Sequence, residues 1–358
     1  MAGMKTATKE MRLRARRGMT FVEVLIAASI LIVIVGVIAR TTILAKDASQ
    51  MAVSQGKITI LAQKELLSIR DALRASVHLF QRDTQGNTYW SKVDLGSAAA
   101  LNSSTLPKIA AFGVFGKDTP SNRKTGNLLF FAKAVVPFPT PEEIVQWHDY
   151  CDATGQPGKK NSLDDVRLDI YRFTAYFLRK VPTDFKPGSP RGLDLAAWVS
   201  VPFADWKRFQ DLDPSIQADV LEALSTPQVG KKIDYLWTPG EDFDSAFAEI
   251  QSGPTLQAIT PSSHPGWKIP SDPAYTRTVT FERKRISVAT NWAQKNYGLA
   301  KFAILQSTGD GYPHGFEVQI IGPASARQVL VHLTLIGQGG RGHSPWVDIQ
   351  DVVTCHDL

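Results

Sequence analysis

The feature that most constrains this chain is one long apolar segment close to its start. Residues 19–39 contain a single charged side chain, that of Glu23. As a helix these residues would span about 31 Å at 1.5 Å per residue, which matches the hydrocarbon core of a bilayer. A carboxylate inside a membrane span is costly and needs a compensating interaction. The sequence therefore predicts a transmembrane helix over 19–39 in which Glu23 requires a partner.

Positive charge is concentrated just before this segment. The whole chain has a formal net charge of +6, and its first eighteen residues carry six basic side chains against one acidic one, Glu10. The leader therefore carries +5 and the remaining residues +1. Because flanking segments rich in Lys and Arg stay in the cytoplasm, we expect a cytoplasmic leader and a body on the other side. The nearly neutral body lacks the gathered basic residues of a nucleic-acid surface, so no nucleic-acid partner is expected.

Two ordinary explanations of the segment stay open from hydropathy alone. A secretory signal peptide usually has a shorter apolar region, followed by a small-residue cleavage site. No clean A-x-A pattern follows Ala39 here. A simple signal anchor accounts for the charges of Arg17 and Arg40 at the two ends. Neither explanation accounts for Glu23.

The residues on either side of Glu23 follow a known pattern. Residues 18–25 read GMTFVEVL, after a basic leader and before a long apolar run. This combination resembles the type III signal of type IV prepilins and type II secretion pseudopilins. Met19 departs from the commoner phenylalanine of that family. Arg40 lies where major pilins often carry a helix-bending proline, so the resemblance favours a large minor subunit.

The resemblance implies a processing site and an assembly site. A prepilin peptidase would cut between Gly18 and Met19 and methylate the new amino terminus of Met19. Glu23 would be the glutamate of filament assembly, and Thr20 also fits the family's assembly motif. The expected partners are the peptidase, other pilin or pseudopilin subunits and the assembly platform of the inner membrane. The head would be periplasmic until the subunit enters a pilus or pseudopilus.

The helix is predicted to continue well beyond the membrane span. Residues 41–80 contain no proline and are rich in Ala, Leu, Gln, Lys, Glu and Arg, which are good helix formers. Leu66, Ile69, Leu73 and Val77 lie at helical spacing and would form an apolar stripe against a globular head. We therefore predict a leader over 1–18 and a helix over 19–80, about 90 Å long.

Residues 81–358 are predicted to form a β-rich head. Strand-like patterns outnumber helical ones, so the predicted class is α+β with a mainly antiparallel, pilin-like head. The predicted strands are Leu128–Ala132, Val166–Arg179, Val279–Val288, Ala303–Gln306, Phe316–Ile320 and Val329–Ile336. Ser307–Gly311 is predicted to be a hairpin turn. Short helices are predicted at Pro214–Leu224 and Glu241–Ile250.

The two cysteines, Cys151 and Cys355, leave several alternatives open. An extracytoplasmic head permits a disulfide between them. His148, Cys151, Cys355 and His356 also offer two thiolates and two imidazoles, which could bind zinc. Pseudopilin resemblance makes calcium a further alternative, with Asp149, Asp152 and Asp357 as its ligands, although no acidic loop has recognisable calcium-ligand spacing. We expect no cofactor as the simplest case.

Enzyme motifs are sparse in this sequence. Gly337–Gly342 matches a phosphate-binding glycine pattern only in a shifted frame, and Ser344-Pro345 rather than a helix follows it. His78, His264, His314, His332 and His343 are scattered along the sequence and are expected to be ordinary surface or packed residues. The preferred hypothesis is a structural filament subunit without enzymatic activity. The alternative is an extracytoplasmic binding domain or enzyme that uses a pilin-like membrane anchor.

Overall fold

The chain divides into two compact units, Met1–Val53 and Ser54–Leu358, and the long helix α1 contributes residues to both. We call the second unit the head. The computed structural model describes residues 20–96, 100–119, 121–138, 167–180, 192–212, 214–225, 232–251, 257–259, 266–279, 286–291, 294, 298–299, 302, 314–337 and 344–357.

The head combines helices with a large sheet. The helices in the described residues are α1 (Phe21–Arg74), α2 (Thr84–Ser91), α3 (Trp206–Gln210), α4 (Pro214–Ser225) and α5 (Phe243–Ala246). The strands are β1 (Ser76–Leu79), β2 (Ile109–Ala110), β3 (Leu128–Phe138), β4 (Leu168–Arg179), β5 (Gly192–Val199), β6 (Phe203–Asp205), β7 (Tyr235–Trp237), β8 (Phe247–Gln251), β9 (Gln257–Ile259), β10 (Arg277–Val279), β11 (Ile286–Ala289), β12 (Phe316–Ile321), β13 (Arg327–Gly337) and β14 (Trp346–Cys355).

These strands join in one mixed sheet. The main order is β2-β12-β13-β11-β5-β4-β6-β7-β8-β9. Strands β1, β10 and β14 pair with β3, β5 and β13, and β3 in turn pairs with β4. Among the described strands the pairing is antiparallel, except that β2–β12 and β6–β7 are parallel. An apolar helix followed by a large mixed sheet confirms the predicted α+β class.

One face of the sheet packs on the second half of α1. The apolar side chains Ile58, Ala62, Leu66, Ile69 and Leu73 of α1 are all buried. Their spacing of three or four residues places them on one side of the helix. They contact a core that includes apolar side chains of β3, β4, β5, β11, β12 and β13. This stripe therefore covers strands that lie far apart in the sequence.

The opposite face of β3, β4 and β5 carries an aromatic core. Side chains alternate along β3, so that Leu129 and Phe131 face α1 while Phe130 faces the second core. There Phe173 of β4 packs on the rings of Phe203 and Trp237, at centroid distances of 5.2 and 4.8 Å. Because both faces are covered, these strands are buried almost continuously, as β4 shows.

Several predicted strands are confirmed. Leu128–Ala132 lies within β3, Val166–Arg179 covers β4, and Phe316–Ile320 lies within β12. In β13 the residues Val329, Val331, Leu333 and Leu335 share the α1-facing core, as their alternation predicts. The predicted strand Ala303–Gln306 and turn Ser307–Gly311 lie outside the described residues, as does the middle of Val279–Val288.

Two predicted helices need correction, and several strands were missed. Helix α1 ends at Arg74 rather than Phe80, because Ser76–Leu79 pairs with β3 as strand β1. Glu241–Ile250 contains only the short helix α5 before the chain enters β8, which pairs with β7 and β9. Among the missed strands, β5 pairs with β4, β10 and β11, and β14 pairs with β13 over ten residues. In these cases sheet pairing outweighs local propensity.

Burial of the α1 stripe predicts a sharp contrast between two isoleucines of the same helix. Ile69 is 1% exposed and Ile60 is 66% exposed. We expect Ile69→Ala to lower the free energy of unfolding by about 2–5 kcal/mol, because it leaves a cavity beneath the sheet. The matched change Ile60→Ala should alter it by less than about 0.5–1 kcal/mol. Denaturant unfolding in detergent micelles, followed by tryptophan fluorescence, measures both; equal losses would contradict the packing described.

Candidate functional site

The predicted assembly residues Thr20 and Glu23 form a hydrogen-bonded unit at the start of α1. Oε2 of Glu23 accepts a hydrogen bond from the backbone N–H of Thr20 at 2.8 Å and another from its hydroxyl at 3.1 Å. The backbone N–H of Glu23 donates to Oγ1 of Thr20 at 3.3 Å. This reciprocal arrangement is a capping box, with Thr20 before the first helical residue and Glu23 three positions later. It satisfies amide groups that every helix start leaves unpaired.

The capping box gives Glu23 a second physical role. The negative carboxylate lies at the positive end of the helix dipole and binds an amide that has no partner within the helix. Glu23 therefore has hydrogen-bond partners within its own chain, in addition to any that another subunit supplies. The pattern T-x-x-E is visible in the sequence, but its capping role was not among our predictions.

The rest of the first half of α1 offers an apolar surface. From Phe21 to Ile38 its large apolar side chains are about half or more exposed within the chain. Helix α1 is long and apolar enough to cross a membrane. The predicted cleavage and methylation residues, Gly18 and Met19, lie outside the described residues, so their roles stay predictions.

The C-terminal candidates do not come together as a metal site in the part of the chain that the structure describes. Cys355 is buried at the end of β14, where burial raises the pKa of its thiol, while His356 is exposed. Their proposed partners His148, Cys151, Asp149 and Asp152 lie outside the described residues. The disulfide, zinc and calcium alternatives are therefore untested as complete sets. Among the described residues no group of three or more His, Cys, Asp or Glu side chains could hold a metal ion.

Asp357 has a structural use that competes with a calcium role. Its Oδ1 accepts a hydrogen bond from the backbone N–H of Leu79 at 3.0 Å and lies 3.4 Å from Nδ1 of His78. Its Oδ2 accepts one from Nε of Arg327 at 3.0 Å. Burial alone would raise the pKa of Asp357, but these hydrogen bonds outweigh burial and hold it below its usual range. Asp357 thus ties the end of the chain to β1 and β13.

A buried acid–histidine–acid cluster lies on the face of β13 opposite α1. Nδ1 of His332 lies 2.5 Å from Oε2 of Glu317 on β12, and Nε2 contacts Oδ1 of Asp348 on β14. The side chains of His332 and Glu317 are 3% and 0% exposed. Both oxygens of Glu317 also accept the backbone N–H of Phe302 at 3.0 Å. The cluster therefore links three neighbouring strands through charge-assisted hydrogen bonds.

The electrostatics of this cluster favour a charged histidine. Burial lowers the pKa of His332, but the hydrogen bonds to Asp348 and Glu317 and their negative charges raise it overall to about 9. Because both ring nitrogens face carboxylates, neither is available to a substrate or a metal ion in this arrangement. Sequence reasoning treated His332 as an ordinary packed residue. Only the pairing of Glu317 with His332 across β12 and β13 brings the two together.

The chain matches no protein-family model, no curated protein and no solved structure.

The raised pKa of His332 predicts a defined pH dependence of stability. The group titrates near 6.5 when unperturbed and near 9 in the fold. Its stabilising contribution is therefore complete below about pH 6.5 and declines as the pH rises through about 9. His332→Gln should remove this part of the pH dependence and cost roughly 3–5 kcal/mol at neutral pH, because Glu317 loses its buried cation.

Thermal and denaturant unfolding between neutral and alkaline pH measures this effect. The matched control is His356→Gln, because His356 is exposed. We expect the control to keep the pH profile of the wild-type chain. An unchanged profile in His332→Gln would refute the proposed charge state of the cluster.

Proposed function

We propose that this chain is a minor pilin or pseudopilin, a structural subunit of a type IV pilus or a type II secretion pseudopilus. The single observation that carries the proposal is the position of Glu23. It lies five residues after Gly18, at the start of a 54-residue helix whose first half is apolar and exposed. The capping box would serve an isolated anchor as well, but a glutamate five residues after a glycine, between a basic leader and a long apolar run, is the pattern of an assembling subunit.

The assembly chemistry follows from the cost of a buried charge. In a packed filament Glu23 is compensated by the α-amino group of a neighbouring subunit, which peptidase cleavage before Met19 creates. A buried charge without such a partner is strongly unfavourable, so the pair also fixes the register between subunits. Before assembly, the hydrogen bonds of Thr20 hold the carboxylate at the first turn of α1. Thr20 thus supports the same step by orienting Glu23.

The rest of the subunit has its place in this scheme. The peptidase and the assembly platform belong to the inner membrane, which α1 would span with the leader in the cytoplasm. The second half of α1 is part of the hydrophobic core of the head, so the anchor and the head are covalently continuous through one helix. The head would be extracytoplasmic and available to sister subunits. No enzymatic activity is required for this role.

Processing by a prepilin peptidase is the first test. We expect coexpression with such a peptidase to yield a mature chain that begins with N-methyl-Met19, because residues 18–25 present its recognition pattern. Mass spectrometry of the purified chain identifies the amino terminus, and expression without peptidase is the control. Retention of the leader, or cleavage beyond Ala39, would favour the alternative of a membrane-anchored binding domain or enzyme.

Three variants separate the charge of Glu23 from its capping role. Glutamine also serves in a capping box, so Glu23→Gln keeps the hydrogen bonds with Thr20 and removes only the charge. We expect Glu23→Gln and Glu23→Ala to be cleaved normally but excluded from filaments. Thr20→Ala, which keeps the carboxylate, should reduce incorporation less.

Incorporation is measured by recovering tagged subunits in sheared filaments from cells that express the whole assembly system. Membrane levels of each variant provide the control for expression. The opposite order, with Glu23→Gln incorporated and Thr20→Ala excluded, would show that Glu23 acts only as a cap. The assembly mechanism proposed above would then be wrong.

A further inference from the structure

One short loop of the head exposes large apolar side chains. The 110–116 loop, Ala110–Gly116, connects β2 to the segment before β3. Within it Phe112 is 88% exposed and Val114 is 79% exposed, more than any other large apolar side chain described in the head. Gly113 lies between them with φ +140°, a conformation that favours glycine. Exposed apolar side chains grouped at one place mark interaction surfaces.

Specific hydrogen bonds hold this loop at both ends. The side chain of Gln319 on β12 accepts the backbone N–H of Gly116 at 3.1 Å and donates to its carbonyl at 2.7 Å. The carbonyl of Val114 accepts Nζ of Lys124 at 2.7 Å. At the other end, the carbonyl of Ala110 accepts the N–H of Gly322 at 2.9 Å. Because these hydrogen bonds anchor the loop, they hold Phe112 and Val114 in exposed positions.

Basic residues flank the apolar tip along the sequence. Between residues 108 and 124 the chain carries Lys108, Lys117, Arg123 and Lys124 against a single acidic residue, Asp118, a net charge of +3. Asp118 is 5% exposed, and its Oδ2 accepts the backbone N–H of Thr125. The only carboxylate of the segment therefore faces inward, and the segment presents cations to its surroundings.

The loop lies at the end of the head where α1 ends. Strand β2 pairs with the end of β12, at Ile320 and Ile321. Ile321 in turn pairs with Gln328, next to Arg327 and its ion pair with Asp357 near β1. At the opposite end of β13, Gly337 lies close to Ile58, which is near the start of the part of α1 that belongs to the head. A surface that contacts the loop would therefore meet the head at the end where α1 ends.

We propose that the 110–116 loop docks on an anionic lipid surface. Phe112 and Val114 enter the boundary between headgroups and acyl chains, while the exposed cations Lys108, Lys117 and Arg123 bind lipid phosphates. Exposed apolar side chains flanked by exposed cations are the combination that favours binding at an anionic membrane interface. The proposal is independent of filament assembly, because it uses residues of the head alone.

Vesicle binding by the full-length chain tests this proposal. The chain is held by α1 in nanodiscs of phosphatidylcholine and mixed with sucrose-loaded vesicles, which are then sedimented. We expect co-sedimentation with vesicles that contain phosphatidylglycerol, little with phosphatidylcholine vesicles, and loss of binding at high salt. Empty nanodiscs are the blank. Phe112→Ser combined with Val114→Ser should weaken binding about tenfold or more.

Matched variants distinguish the tip from general effects of charge or apolarity. Lys108→Glu with Lys117→Glu should weaken binding at least about tenfold, because each cation near the surface contributes. Lys207→Glu with Lys268→Glu changes the net charge equally at exposed positions elsewhere and should weaken it far less. Val352→Ser removes an exposed valine of β14 and should leave binding unchanged.

Three outcomes would overturn the proposal. The first is failure of the wild-type chain to sediment with phosphatidylglycerol vesicles. An acidic protein would then be the better partner for the tip. The second is equal binding by the Phe112 and Val114 variant, with its thermal unfolding unchanged. The third is equal weakening by both lysine pairs, which would indicate non-specific attraction.

Discussion

The packing of one stripe of α1 on the sheet is the interaction on which the rest of the head depends. Burying a leucine or isoleucine side chain contributes about 1.5–3 kcal/mol, and the stripe contains four of them. The exception on this side of the helix is Glu65, which is buried but pairs with Nη2 of Arg277 at 3.2 Å. The stripe brings together strands from residues 128 to 355, so the sheet's inner face has no apolar cover without it.

The opposite face of the sheet is covered in two different ways. Beneath β3, β4 and β5 it is aromatic, and Phe173 contacts several rings. Beneath β12, β13 and β14 it is polar, with Glu317 and His332 buried in contact. Aromatic packing gains stability from buried area and from favourable ring geometry, whereas the polar part depends on every charge having a partner. Each half has its own titrating group: burial raises the pKa of Asp194, which pairs with Arg179 across β4 and β5, whereas the carboxylates of Glu317 and Asp348 outweigh burial and raise that of His332 on β13 to about 9. The two halves should therefore respond differently to pH.

The sequence predicts those elements whose burial pattern is regular. The alternation in β13 was readable because its alternate residues Val329, Val331, Leu333 and Leu335 face one apolar core. Strand β14 was missed because the polar residues Asp348, Gln350 and Asp351 lie along its length. The two carboxylates among them pair with His332 and Arg70 only after folding. The His332 cluster was missed for the same reason, since register between strands is a tertiary property. At the start of α1, by contrast, the motif that predicts filament assembly and the capping motif can both be read from neighbouring residues of the sequence.

These two motifs share one carboxylate, which has a consequence for assembly. In the single chain, Oε2 of Glu23 already has two hydrogen bonds from Thr20. Under the proposed function, a neighbour's amino group binds a carboxylate that already has hydrogen bonds. The free energy gained is therefore smaller than that of an ion pair formed by an unpaired carboxylate. The geometry allows both to coexist, because a carboxylate has two oxygens and about four acceptor sites. Oε1 is then the atom left for the incoming amine, while Oε2 keeps the helix start closed.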